Sequence, residues 1–136
     1  MTEIWKYIQT LLAMIGGTLG YFLGGFDGLF AVLAMMIVVD YITGVMVAIK
    51  EKRVSSKIGF TGICRKILIL LFVGIANMLD MHVVGSGSML RTATIFFYVS
   101  NEGISILENA TNLGLPVPRK IKEILEQLHD RSEKDK

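Results

Sequence analysis

Two acidic residues interrupt stretches of sequence that are otherwise apolar. Asp40 stands inside the run from Gly28 to Ile49, and Glu102 stands inside the run that begins at Thr92. An ionised carboxylate at the centre of a bilayer costs roughly 2.5–3.5 kcal/mol on insertion scales, so such a group must be neutral, paired or in contact with water. The chemistry available to these two side chains is therefore proton binding and hydrogen bonding within a membrane.

Two interpretations of these acids stay open at the level of sequence. Each acid could be protonated and hydrogen-bonded to a neighbouring helix, or it could face a polar lumen or an interface between copies of the chain. The side chains predicted as hydrogen-bond partners in the first case are Thr43, Asn77, Ser100 and Asn101.

Glycines at intervals of four residues form a second pattern. They make three overlapping G-x-x-x-G units, which predict one smooth helical face on which another backbone can pack closely in lipid. This face could pack within the molecule or against a second copy, and we consider it a candidate oligomerisation surface. Its members are Gly16, Gly20, Gly24 and Gly28.

Basic residues are concentrated between positions 50 and 66, where Glu51 is the one acidic residue, and again after Pro118. Positively charged connections are retained in the cytoplasm, so this segment and the C-terminus are predicted to be cytoplasmic. Asp80, His82 and Arg91 would then lie near the outer surface as interfacial anchors or solvated groups. The predicted cytoplasmic basic loop contains Lys50, Lys52, Arg53, Lys57, Arg65 and Lys66.

No set of residues in the sequence predicts an enzyme. His82 and His129 fall on opposite sides of the predicted membrane and cannot share a metal ion. Cys64 is the one cysteine, it has no histidine in the same predicted loop, and no phosphate-binding glycine motif occurs. We therefore expect no enzymatic activity, no metal and no cofactor.

Composition indicates a membrane protein. Hydrophobic residues make up 52% of the 136 residues, and the mean hydropathy is +0.56, which is too apolar for a soluble domain of this length. The net charge of +2 is small, and the aromatic residues lie inside apolar runs. Nucleic acid is therefore not an expected partner.

These patterns predict an all-α integral membrane protein with three to four transmembrane helices. The predicted helices cover about 7–26, 28–49, 67–84 and 92–109, and the first of them would be roughly 30 Å long. If the first segment lies along the interface, three spans remain. We divide the chain into a transmembrane domain, 1–115, and a charged cytoplasmic tail, 116–136. The spacing of apolar residues predicts that the tail forms a short amphipathic helix, with Ile121, Ile124, Leu125 and Leu128 on its apolar face.

The order of the motifs resembles the toxin-secretion/phage-lysis holin family from about position 31 to 128. The glycine-rich first segment lies outside the part that matches. The motifs that carry the resemblance are Asp40-Tyr41-Ile42-Thr43-Gly44, Ser55-Ser56-Lys57-Ile58-Gly59-Phe60, Leu90-Arg91-Thr92, Asn101-Glu102-Gly103, Ser105-Ile106-Leu107-Glu108-Asn109 and Pro116-Val117-Pro118.

The resemblance implies a protein that accumulates in the bacterial cytoplasmic membrane, oligomerises there and opens holes at a set time. Its partners would be the bilayer and further copies of itself, with a murein hydrolase (endolysin) or a secreted toxin as cargo. Asp40 and Glu102 would then influence gating. Two alternatives stay open: a small four-helix proton-coupled exporter, and an antiholin or membrane anchor.

Overall fold

The chain folds into five α-helices joined by short connections. The structure, a computed structural model, describes residues 1–134, apart from the side chains at 132 and 133. One π-helical turn, Asp80–Val84, extends the third helix. The helices are α1 Thr2–Leu23, α2 Gly28–Lys50, α3 Ser56–Leu79, α4 Met89–Asn112 and α5 Arg119–Lys134.

The all-helical fold class is confirmed, and the described residues contain no strand. Two segments, Gly28–Lys50 and Ser56–Val84, are long and apolar enough to cross a membrane. Among residues 1–134, α1 and α4 do not reach that hydropathy, so the number of three to four spans stays a prediction.

Local capping explains where the helices begin and end. Asp27 accepts a hydrogen bond from the backbone N–H of Phe30 at the start of α2, as Ser55 does from Ile58 at the start of α3. Gly24 has a φ of 84° and ends α1, because glycine adopts this left-handed conformation without steric cost. The predicted first helix, 7–26, was therefore placed too far along the chain.

α2, α3 and α4 form the central bundle. Its two ends differ in sequence: the connection 51–55 defines what we call the basic end, and the connections 24–27 and 85–88 define the glycine end. The core contains Leu23 of α1 together with residues of the three central helices, which are Phe30, Leu33, Ile37, Ile69, Val73, Ile95 and Val99.

The outer faces of the bundle are apolar. Val38 and Ile42 of α2 and Leu68 and Ile75 of α3 are each about half exposed, with many similar neighbours. Apolar surface of this kind is typical of helices that lie against lipid, since a soluble monomer rarely exposes large contiguous apolar patches.

The first and last helices pack on the outside of the bundle. α1 contacts α3 near the glycine end, and every residue from Thr2 to Ile15 is exposed. α5 packs against α4 through Leu125. The predicted C-terminal helix is present, and it lies on α4. The division into domains 1–115 and 116–136 stays a prediction.

Candidate functional site

Three charged side chains from three helices meet inside the bundle. The Lys66 ammonium on α3 donates to Glu102 Oε2 on α4 at 2.5 Å and to Asp40 Oδ2 on α2. The side chains of Asp40 and Glu102 are 9% and 8% exposed, and the side chain of Lys66 is 19% exposed. We call Asp40, Lys66 and Glu102 the inner charge cluster.

Asn109 completes the polar surroundings of this cluster. Its side-chain N–H donates to Asp40 Oδ1 at 3.1 Å and to Thr43 Oγ1 at 2.8 Å. Asn109 lies seven residues after Glu102, which is two helical turns along α4, so both residues face α2. The cluster thus links α2, α3 and α4 by ion pairs and hydrogen bonds.

The inner charge cluster contains two acids and one base. When all three are ionised, one negative charge is in excess, and removing charges from water is costly unless each is paired and hydrogen-bonded. Lys66 is the nearest compensating cation for both Asp40 and Glu102. The arrangement is therefore sensitive to any movement that separates the three helices or admits water.

An open crevice leads from the basic end to the cluster. It has a volume of about 660 Å³ and is lined by residues of α2, α3, α4 and the connection between the first two. Asp40 and Lys66 lie at its walls together with Tyr41, Arg53 and Arg65. The crevice therefore joins the surface at the basic end to Asp40 and Lys66.

A second cluster lies at the glycine end and is centred on Arg91, which is 4% exposed. Its Nε donates to the Leu23 carbonyl at 2.6 Å, and its Nη2 donates to the Gly25 carbonyl at 3.0 Å. Both terminal nitrogens also bond the Asp27 carboxylate, at 2.9 and 3.2 Å. One guanidinium on α4 thus holds the whole connection between α1 and α2.

Two further buried polar groups support this end of the molecule. Asp80 is 1% exposed and accepts hydrogen bonds from the backbone N–H groups of Leu90 and Arg91, so it caps α4 from the preceding π-helical turn. Asn77 donates to the carbonyls of Tyr21 and Phe22 in the last turn of α1. These bonds fix α1 and α4 to α3.

The pKa of Asp27 is changed by its contact with Arg91. The hydrogen bond from the Arg91 guanidinium, aided by the bond from the Phe30 N–H, holds the pKa of the Asp27 carboxyl below its ordinary value. The carboxylate side chain is 51% exposed, so water screens part of the attraction.

The structure corrects the predicted placement of Lys66. The sequence placed it in a cytoplasmic loop, but α3 begins at Ser56, so Lys66 lies almost three turns inside the helix. Its ammonium is the partner of Asp40 and Glu102. The partners predicted for those acids included Asn77 and Ser100, which instead bond backbone carbonyls elsewhere.

The rest of the predicted basic loop is also mostly helical. Lys50 is the last residue of α2 and donates to the Asn112 carbonyl at the end of α4. Lys57 and Arg65 lie in α3 and are exposed. Within the non-helical connection, Lys52 has a φ of 55°, and Arg53 pairs with Glu51.

The four predicted glycines do not share one helical face. Gly16 and Gly20 lie in α1, Gly24 follows its end, and Gly28 begins α2, because the chain turns at the glycine end. A Cβ at Gly24 would come within 2.5 Å of Asn77 Oδ1 and 2.6 Å of Arg91 Nε. Gly24 therefore serves packing within the molecule, whereas a Cβ at Gly16 would meet no atom within 4 Å.

Arg91 and Asp80 were missed as buried residues because their position beside an outer connection suggested solvation. The seven-residue spacing of Glu102 and Asn109 could have revealed that they share a face. No comparable signal was available for Arg91, since its partners lie in a connection more than 60 positions earlier. Among the described residues, no group of three or more His, Cys, Asp or Glu could hold a metal ion.

These features define a helical membrane protein whose apolar bundle contains buried ion pairs. A family profile, the bacteriophage holin family, matches residues 17–130. The chain belongs to the bacteriophage holin family, whose members are non-enzymatic membrane proteins. The resemblance seen in the sequence is thereby confirmed.

Three relatives show how far the similarity extends, and one of them is named as a probable holin. A protein named as a probable holin of Bacillus phage phi105 is 37% identical over 102 residues, which cover 72% of this chain and 75% of the relative. An uncharacterised protein encoded in the nagH 3′ region of Clostridium perfringens is 40% identical over 131 residues, 96% and 99% of the two chains. An uncharacterised protein of Listeria innocua is 44% identical over 110 residues, 81% and 78%. No solved structure matches the chain.

Proposed function

We propose that this chain is a holin that oligomerises in the bacterial cytoplasmic membrane and opens holes at a defined time. The holes would release a murein hydrolase for host lysis, or a toxin. Family membership supports the proposal, and the observation that carries it is the inner charge cluster, in which Lys66 joins Asp40 and Glu102 between apolar helices.

Such a cluster supplies two states of different polarity. In the closed state, Lys66 compensates one of the two acid charges, and the apolar faces of α2 and α3 meet lipid. In the open state, the helices separate and the same three charged groups face a water-filled lumen, where hydration replaces the ion pairs. In the closed state one acid charge stays uncompensated, which favours opening, and in the open state hydration offsets the loss of the ion pairs.

The decisive experiment is inducible expression in a bacterial host without any phage partner gene. We expect membrane potential to be lost abruptly at a reproducible time after induction, followed by loss of optical density when a murein hydrolase is co-expressed. A chain that ends at Lys50, produced at the same level, is the control. Growth without depolarisation would refute hole formation and favour an antiholin or membrane anchor.

For orientation we propose a cytoplasmic basic end and a cytoplasmic C-terminus, following the distribution of Lys and Arg. Reporter fusions placed after Arg53, in the basic end, and after Ser86, in the glycine end, test this directly. The Arg53 fusion should be active in the cytoplasm and the Ser86 fusion outside it. Reversed activities would contradict the orientation.

The crevice at the basic end favours a second candidate, a small proton-coupled exporter, because it gives water a path to Asp40 from one side of the bundle. An exporter would protect cells from a toxic substrate and leave the membrane potential intact. A holin depolarises and kills, so the expression experiment separates the two functions.

A further inference from the structure

The C-terminal helix lies deep along α4. Leu125 of α5 is 9% exposed and rests on Gly103, where a Cβ would come within 2.8 Å of its Cδ2. Further along α5, the His129 ring lies 6.3 Å from the ring of Phe97. Leu125 therefore packs directly on Gly103, and a Cβ at that position would force the Leu125 side chain to rotate or shift.

These contacts place α5 at the depth of the buried charges. Gly103 follows Glu102 directly, and Phe97 lies roughly 7–8 Å further toward the glycine end. α5 thus covers α4 from the basic end to a point beyond the inner charge cluster.

α5 is too polar to lie there in lipid. Its side away from α4 is exposed and charged, and charged side chains are strongly disfavoured in the bilayer interior. The side of α5 that faces away from α4 must therefore meet water when α5 is docked. The charged residues of α5 whose side chains the structure describes are all exposed, and they are Arg119, Lys120, Lys122, Glu123, Glu126, Asp130, Arg131 and Lys134.

The composition of α4 agrees with a water-facing side. α4 is not among the described helices that are apolar enough to cross a membrane by themselves. Glu108 and Thr111 of α4 line a crevice between α4 and α5 near the basic end, together with Lys122 and Glu126 of α5. One face of α4 joins α2 and α3, and another presents polar groups to α5.

We propose that α5 is a plug: in the closed state it fills a water-facing channel along α4, seated by Leu125 on Gly103, and hole opening requires it to leave. This inference rests on the proposed hole-forming function, and it assigns the wall of the lumen to the face of α4 around Phe97 and Gly103. The occupant of that face is this chain's own segment 119–134.

Water accessibility at Phe97 tests the plug without requiring lysis. The variant Phe97→Cys, in a Cys64→Ser background, is reconstituted in phosphatidylethanolamine/phosphatidylglycerol vesicles with a membrane-impermeant maleimide on both sides. Adding Leu125→Asp should release α5 and raise the labelling rate roughly tenfold or more. Ile124→Asp, at the adjacent exposed position, should leave the rate unchanged. Equal rates in both variants would overturn the proposal.

A covalent lock tests the functional consequence. In the same Cys64→Ser background, Phe97→Cys and His129→Cys are joined by a short bis-maleimide in vesicles that contain a small dye. The joined protein should release little dye, and the same variant treated with a monofunctional maleimide should release it freely. Unchanged release from the joined protein would overturn the plug, whereas failure of the wild-type chain to release dye or depolarise cells would refute hole formation itself.

Discussion

The Arg91 guanidinium binds both carboxylate oxygens of Asp27, a residue 64 positions earlier in the chain. The same guanidinium also bonds the carbonyls of Leu23 and Gly25. This contact fixes the angle at which α1 leaves the bundle, because α1 is otherwise exposed along most of its length. It acts as a structural latch at the glycine end and is separate from the inner charge cluster.

Replacing Arg91 should therefore destabilise the bundle. Arg91→Gln would leave the Asp27 carboxylate and two carbonyls without their donor, at a cost of roughly 3 kcal/mol in the free energy of unfolding. Chemical denaturation of the protein in detergent micelles measures this. Arg65→Gln, at an exposed position of α3, is the control, and it should change the free energy of unfolding by less than about 0.5 kcal/mol. Similar losses in both variants would contradict the latch.

The latch should also weaken in acid. Because Arg91 lowers the pKa of Asp27 in the folded protein, the unfolded chain takes up the proton first as pH falls. The contact between Asp27 and Arg91 stabilises the folded protein fully above about pH 4, the ordinary pKa of an Asp side chain. This stabilisation is lost as pH falls from there to the lower pKa that Asp27 has in the folded protein. Unfolding of Asp27→Asn should depend less on pH below about 5 than wild type. Asp130→Asn, on the exposed face of α5, should retain the wild-type dependence.

Removing the cation of the inner charge cluster should be more damaging than removing either acid. Lys66→Met leaves Asp40 and Glu102 facing each other without compensation, which costs roughly 3–5 kcal/mol for a buried pair. The amount of folded protein in isolated membranes should fall sharply. Adding Asp40→Asn and Glu102→Gln to Lys66→Met should restore it, and Lys57→Met, an exposed substitution on the same helix, should have no effect. Failure of the triple variant to recover would contradict a charge-based cause.

Neutralising the acids one at a time should change timing more than insertion. Asp40→Asn and Glu102→Gln each leave Lys66 with one carboxylate, so the buried charges balance and the closed state gains stability. We expect normal protein levels in the membrane and delayed depolarisation in both variants. Membrane potential and optical density, followed after induction at matched protein levels, decide this. Wild-type timing in both would mean that the acids serve structure alone, and early depolarisation would show that their bonds hold the closed form.

Gly16 offers the cleaner test of assembly through α1. A Cβ at Gly16 would meet no atom within 4 Å, so Gly16→Leu should preserve the fold while holding a partner helix away from α1. We expect fewer cross-linked oligomers and delayed depolarisation. Thr18→Leu, which adds bulk to a different face of α1, is the control, whereas Gly24→Leu would disturb the Arg91 latch and is uninformative. Identical oligomers in the Gly16 and Thr18 variants would remove this face from assembly.

The sequence by itself determined the all-helical class, the position of α2 to within one residue at its end, and the existence of an amphipathic C-terminal helix. These are local properties: hydropathy, capping by Asp27 and the spacing of apolar residues act between neighbours in the chain. Motif order also indicated the holin family. None of these signals depends on how the helices rotate against each other.

The tertiary structure alone decided which polar groups meet. Lys66 reaches Asp40 and Glu102 because α3 begins eleven positions before the helix start predicted at 67 and turns that lysine inward. Gly24 separates from Gly16 and Gly20 because the chain reverses at the glycine end, where Arg91 requires its lack of a side chain. Such pairings depend on the rotation and register of the packed helices. Burial and the pairing of charges select these together, so the sequence of one helix does not determine them.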